Sequence, residues 1–249
     1  MEQRKTPGPT GAVAKILPFS NVDGPGNRFA VFFQGCPFAC KYCHNPETKR
    51  AYCPSMESDG NFPRRMGLDD LAFLIEPVRP FIRGLTLSGG EALVQGEFAA
   101  GIVEMARRKF SLGTLIDTCG SQDFRLYPFL STCEGIMLDI KAWDDTEHLG
   151  LTGKSNKVVL ENFQWALKNR YLTEVRTVIA PELFDCRHTV SQVARALSEE
   201  DSDIPYVLIA FRPQGVLSPW NTLPVPDRKI MEELVSLGIS QGHRNIIIR

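Results

Sequence analysis

Three cysteines fall within eight residues, in the run CPFACKYCHNP that spans 36–46. Their spacing, C-x3-C-x2-C over Cys36, Cys40 and Cys43, suits a loop that turns three thiolates toward one centre. Such a loop can cap three corners of a cuboidal 4Fe–4S cluster and leave the fourth iron open, whereas an electron-transfer cluster takes four cysteines. An open iron can chelate a substrate, so the missing fourth ligand is the informative part. The alternative is a zinc site completed by His44 or Cys53. His44 directly adjoins Cys43, and neighbouring residues seldom both reach one tetrahedral ion. Zinc ligands also tend to arrive as two separated pairs, and no second pair follows here. The spacing therefore favours iron–sulfur chemistry.

Ser88-Gly89-Gly90-Glu91 is a second candidate. Two glycines let a backbone approach a ligand closely, with Glu91 ready to accept from an ammonium group. The same four residues also read as a plain turn between strand and helix. Asp117-Thr118 and Asp139-Ile140-Lys141 end two further apolar runs. Asp139 and Lys141 lie two apart on a strand, so they face the same way and need a ligand or each other. Arg176 can point into the sheet's concave side or form a structural ion pair. Cys119 and Cys133 sit among apolar or small neighbours and read as small buried hydrophobes. Trp143, Trp165 and Trp220 read as packing residues.

The elements that must position these groups alternate in type. The periodicity predicts strands over 28–34, 84–88, 112–118, 135–140, 172–180, 205–211 and 244–249. Helices are predicted over 68–81, 97–110, 121–130, 156–170, 186–200 and 227–239. Residues 1–12 read as a mobile leader and 44–67 as a long loop without period. Strands alternating with helices at this spacing call for an α/β fold with a parallel sheet, either a barrel or an open doubly wound sheet. In both, the reactive end is the C-terminal edge of the strands, where all the candidates above fall. No linker interrupts the alternation, so one domain over 13–249 is expected.

Composition narrows the class. Hydrophobic residues make up 43% and charged residues 23% of the 249, which excludes wholesale disorder. Lys and Arg total 28 against 29 Asp and Glu, so bulk charge argues for neither nucleic acid nor a membrane. The first residues lack an apolar core, and no apolar run approaches the ~20 residues of a membrane span, so a cytoplasmic location is expected.

The motifs also carry a resemblance. NVDGPGNR (21–28), FFQGC (32–36) and CKYCHNP (40–46) closely resemble the pyruvate formate-lyase activating enzyme family, radical SAM enzymes that install a glycyl radical on a partner protein. The match continues in order through LTLSGGEALVQGEF (85–98), IDTCG (116–120), MLDIK (137–141), LTGKSN (151–156) and VRTVIAP (175–181). It implies a partial parallel (β/α)6 barrel of the TIM type. Cys36, Cys40 and Cys43 would ligate one 4Fe–4S cluster, whose open iron would bind S-adenosyl-L-methionine. Tyr42 and His44 would line the adenine side. Gly90 and Glu91 would meet the methionyl amine, Asp139 and Lys141 would hold the ribose and carboxylate region, and Gly89, Ile140 and Arg212 would also contact the cofactor. Asp117, Thr118, Met137 and Asp139 would form a monovalent-cation site. The reduced cluster would cleave the sulfonium to a 5′-deoxyadenosyl radical under anaerobic conditions. A glycyl-radical enzyme would be the protein substrate, and a flavodoxin or ferredoxin the electron donor. Lys41, Lys49, Arg50, Arg64 and Arg65 near the cysteine loop suit an acidic donor.

Two features depart from the pyruvate formate-lyase pattern. Arg212 takes the place of a histidine after the sixth barrel strand, and with Lys15–Ser20 this looks more like the YjjW-type activases. Those usually insert a ferredoxin-like segment, yet 47–67 hold only Cys53. A radical SAM enzyme acting on a nucleotide or pterin is the second reading, and a non-catalytic zinc module the third.

Overall fold

The computed structural model describes residues 8–57 and 63–249. Its sheet begins with β1 (Thr10–Ser20), β2 (Arg28–Phe33) and β3 (Arg64–Gly67). It continues with β4 (Gly84–Gly89), β5 (Gly113–Thr118), β6 (Gly135–Asp139), β7 (Leu172–Ile179), β8 (Tyr206–Ala210) and β9 (Ile246–Ile248). The strand order is β3-β1-β2-β4-β5-β6-β7-β8-β9. From β2 to β9 every pairing is parallel, whereas β1 runs antiparallel to both β2 and β3. The two end strands do not pair with each other, so this is the expected α/β partial barrel, open between β3 and β9.

Parallel strands covered on both faces read as unbroken apolar runs. All six residues of β2, RFAVFF, are buried, and β4 and β6 are buried up to their last residue. Helices α1 (Leu68–Ile75), α2 (Gly96–Phe110), α3 (Asp145–Thr152), α4 (Lys157–Lys168), α5 (Cys186–Glu199) and α6 (Arg228–Ser240) join them. Three start at an aspartate whose carboxylate accepts from a first-turn amide: Asp144 from Glu147, Asp185 from His188 and Asp227 from Ile230.

Some expectations differ from the structure. Residues 10–12, placed in the leader, are strand, and 1–7 lie outside the described residues. The expected loop over 44–67 contains β3 and two short 3-10 helices, with 58–62 outside the described residues. Bulges and Pro18 interrupt β1, which hides its alternation. The helix expected over 121–130 is two 3-10 turns, Phe124–Leu126 and Pro128–Thr132. Pro128 disfavours helical geometry at Tyr127, which sits at φ −121° and ψ 78°. α3 was not expected, because DTEHLGLT carries a mid-helix glycine and little apolar period.

Arg28 closes the N-terminal end of the barrel. Its side chain has no solvent exposure, and it donates to the carbonyls of Leu85 (2.9 Å) and Pro25 (3.1 Å) and to Glu134 Oε2 (2.6 Å). Gly84 gives it room, since a Cβ there would lie 2.6 Å from Nη2. Arg28→Met should lower unfolding free energy by about 3–5 kcal/mol, because Glu134 and two carbonyls lose their donor. Glu134→Gln should cost less, since Glu134 is partly exposed and Arg28 keeps its carbonyl partners. Denaturant unfolding of the two variants checks the order.

Candidate active site

The cysteine loop leaves β2 and is held almost entirely through its backbone. Gly35 and Cys36 donate their amides to the carbonyls of Thr48 (2.7 Å) and Lys49 (3.1 Å). Ala39 and Lys41 donate to Thr152 (2.7 Å) and Leu151 (3.1 Å), carbonyls at the C-terminal end of α3 that have no partner within the helix. Gln34 Nε2 spans the base of the loop to the carbonyls of Glu47 (2.9 Å) and Arg50 (2.7 Å). Lys49 Nζ donates to the Cys40 carbonyl at 2.8 Å. The LTGKSN segment serves the same support. Asn156 donates to the carbonyls of Ala142 (3.2 Å) and Trp143 (2.6 Å), and His148 beneath the loop bonds the Lys154 carbonyl and meets Phe38 edge-on.

The glycines after β4 allow this loop to pack against the strand end. Gly89 has φ +115°, and a Cβ there would lie 2.1 Å from the Phe33 nitrogen. At Gly90 a Cβ would lie 2.3 Å from the Gly35 carbonyl oxygen. A side chain at residue 90 would therefore displace the cysteine loop itself rather than only obstruct a ligand.

Strand ends and loop line a cavity of about 170 Å³ that opens to solvent. Of the expected residues, Cys36, Cys40, Tyr42, Cys43, His44, Gly89, Gly90, Asp117, Thr118, Asp139 and Lys141 line it. Four others do not. Glu91 is buried and spends its carboxylate on Leu93 N, Thr118 Oγ1 and both N and Sγ of Cys119, at 2.8–2.9 Å. It is thus a brace between the strand ends, not a free acceptor. Ile140 is buried in the core, and Met137 faces a cavity at the other end of the barrel. Arg212 is exposed and meets the site through its backbone carbonyl, which accepts from His44 Nε2 at 2.8 Å. Ser88 of the second candidate lines it too, whereas sequence reasoning missed Phe38, Asn45, Cys119 and Val178 and read Lys49 only as a charge near the loop. Cys119 looked like a core residue and is indeed 7% exposed, but its thiol faces Glu91 and Cys36.

The thiols differ in character. The hydrogen bond with Cys119 holds the Cys36 thiol below its usual range in spite of burial, whereas burial pushes Cys40 up to about 11 and also raises Cys43. Among the described residues no three Cys, His, Asp or Glu side chains converge where a single ion would sit. His44 is engaged with Arg212, and Cys53 lies outside the cavity with its sulfur 3.1 Å from Ser55 Oγ. The fourth zinc ligand is therefore missing. Three soft thiol donors lining one solvent-open cavity do fit a wider cuboidal cluster. The buried Tyr42 hydroxyl, which lacks a partner, fits a bound polar ligand beside it.

On the far wall Arg176 joins Asp117 and Asp139, the latter through Nε at 2.8 Å, and Lys141 Nζ meets Asp139 Oδ2 at 3.2 Å. Burial works against a charged Asp139, yet Arg176 and Lys141 outweigh it and hold this carboxyl below the usual range. Burial likewise opposes a charged Lys141, and Asp139 foremost raises it well above its ordinary value.

Comparison with known proteins decides the lineage. The family described as a 4Fe-4S single cluster domain matches residues 22–159, more than half of the chain. A protein of Haemophilus influenzae named as a putative glycyl-radical enzyme activating enzyme is 31% identical, over 81% of this chain and 82% of that one. The pyruvate formate-lyase-activating enzyme of Clostridium pasteurianum is also 31% identical, over 75% and 76% of the two chains. This chain belongs to the pyruvate formate-lyase-activating enzyme family. A structure of Streptococcus suis SuiB bound to S-adenosylmethionine superposes with TM-score 0.61 over 88% of this family member and 45% of that chain. At 11% identity that likeness speaks for the fold alone.

Two variants test the wall of the site. Glu91→Gln should destabilise the protein by about 1–3 kcal/mol, because an amide cannot accept from all the donors now aimed at the carboxylate. Thermal melts of cofactor-free protein check this. Asp139, with its lowered folded-state value, contributes stability that is present above the unfolded carboxylate range of about 4 and lost as pH falls through the lowered value. Asp139→Asn should flatten that acid limb in urea titrations from neutral pH down to about pH 3.

Proposed function

We propose that this protein is a radical SAM activase that generates a glycyl radical on a partner glycyl-radical enzyme. What carries the reading is the coincidence of family membership with three cysteine thiols on one cavity at the C-terminal end of a partial barrel. Cys36, Cys40 and Cys43 would hold one 4Fe–4S cluster, with Tyr42, His44, Gly89, Gly90, Asp139 and Lys141 contacting S-adenosylmethionine. When bound, a reduced cluster held by these thiols would supply the one-electron chemistry for cleaving the sulfonium and so for taking a hydrogen atom from glycine.

The chain's own residues prepare that chemistry. Phe38 and the strand ends keep water from the inner side of the thiol loop. Lys141 remains protonated because Asp139 faces it, so the wall offers a fixed ammonium. Gly89 and Gly90 present bare backbone beside the thiols. Lys41, stacked 4.7 Å over Trp220, and Lys49 beside the loop favour docking of an acidic flavodoxin or ferredoxin. No described helix is long and apolar enough to cross a membrane, and a cytoplasmic location goes with soluble partners of that kind.

Anaerobically reconstituted protein should hold about four irons, lost together with cofactor cleavage in Cys36→Ala, Cys40→Ala or Cys43→Ala and retained in Cys53→Ala. With reductant, S-adenosylmethionine and a candidate glycyl-radical enzyme, EPR should show an organic doublet that simplifies when the partner's glycine carries deuterium at Cα. Deoxyadenosine should appear in step with that signal. Silence from every such partner, with a nucleotide or pterin driving cleavage instead, would establish the small-molecule reading.

A further inference from the structure

The resemblance implies a monovalent metal ion bound by Asp117, Thr118, Met137 and Asp139, but the donors present do not fit one. Arg176 lies on β7 opposite Asp139 on β6, and its guanidinium reaches past that strand to Asp117 on β5. Asp139 Oδ1 accepts from Arg176 Nε (2.8 Å) and Oδ2 from Lys141 Nζ (3.2 Å). Asp117 Oδ1 accepts from Arg176 Nη2, and Oδ2 from Ser88 Oγ (2.8 Å). All four carboxylate oxygens already have a protein donor. Hard cations are held by several oxygens at once. Here three of these four oxygens already face the fixed charges of Arg176 and Lys141, while the fourth faces the Ser88 hydroxyl. Met137 turns its side chain to the opposite cavity. Behind Arg176, Glu174 pairs with Arg249 at 2.9 Å, so three acidic groups face three basic ones. A further cation would add uncompensated charge to a buried wall.

We propose that Arg176 is a positioning residue that acts as a built-in cation, bridging Asp117 and Asp139 so that the site takes neither potassium nor sodium. A lysine could not do this, because only the planar fork meets two carboxylates on different strands at once. Arg176 itself is 8% exposed, so bulk ions do not replace it by simple screening.

The test is ion dependence. Cofactor-free protein is melted in potassium, sodium or tetramethylammonium chloride at equal ionic strength. Wild type should melt within about 1 °C in all three salts, less than the roughly 2–4 °C expected if an ion contributed about 1 kcal/mol. Arg176→Met should melt lower in tetramethylammonium and recover by roughly 3 °C in potassium or sodium, because Asp117 then lacks a cation and Asp139 keeps only Lys141. Arg176→Lys, which keeps charge but not the fork, should lie between them, and it serves if Arg176→Met does not fold. A second arm rests on the proposed function: reconstituted wild type should bind S-adenosylmethionine equally in the three salts by equilibrium dialysis. Arg176→Met should bind roughly tenfold more weakly in tetramethylammonium and regain affinity with potassium. A saturable gain by wild type in melting temperature or affinity with potassium or sodium overturns the proposal. So do substituted proteins that are no more ion-sensitive than wild type. Loss of cofactor binding in every salt would count against the proposed function, while the melting arm would still decide the role of Arg176.

Discussion

The Gly35 carbonyl oxygen lies 2.3 Å from where a Cβ on residue 90 would be, and the catalytic end of the barrel is built around that approach. The contact lets the loop leaving β2 lie directly on the end of β4, with Gly90 N donating to Phe33 O at 3.0 Å and Glu91 N to Gly35 O at 2.9 Å. Once those two segments are joined, Glu91 falls where its carboxylate collects the donors at the end of β5. One close backbone contact thus sets the relative position of three adjacent strand ends, which is why two glycines precede the acid.

The opposite wall is organised by charge rather than by backbone. Arg176 lies deep enough that its partners must be fixed groups, and it finds them on two neighbouring strands. The barrel therefore has one half tied by amide contacts and one half tied by an ion-pair ladder, with the cavity between. Arg28 and Glu134 repeat the second device at the far end. Buried ion pairs of this kind add little net stability over apolar packing, but they admit few alternative arrangements once formed.

Much of this was legible in the residues. The parallel core announced itself because doubly covered strands are apolar throughout, and the spacing of Cys36, Cys40 and Cys43 is local enough to read without a fold. What stayed hidden was non-local. Nothing in IDTCG says that the Cys119 thiol faces Cys36, since that depends on β5 lying beside β4. Glu91 looked available because its donors come from 27 and 28 residues away. α3 has too weak a period to be seen, although its last carbonyls hold the cysteine loop. Arg176 could have been read either way, because one residue on a strand does not reveal which acids its neighbours bring.

The ties from Ala39 and Lys41 to α3 are amide-to-carbonyl bonds, and they ask nothing of the side chains at those positions. The side chains of Ala39 and Lys41 can therefore change without moving the sulfurs, whereas Phe38 and Tyr42 beside them are buried. Lys41 can vary to suit whichever surface is presented to it, while the chain path beneath stays the same. At these two positions thiol placement is thereby carried by main-chain atoms, and the side chains are left to the surface.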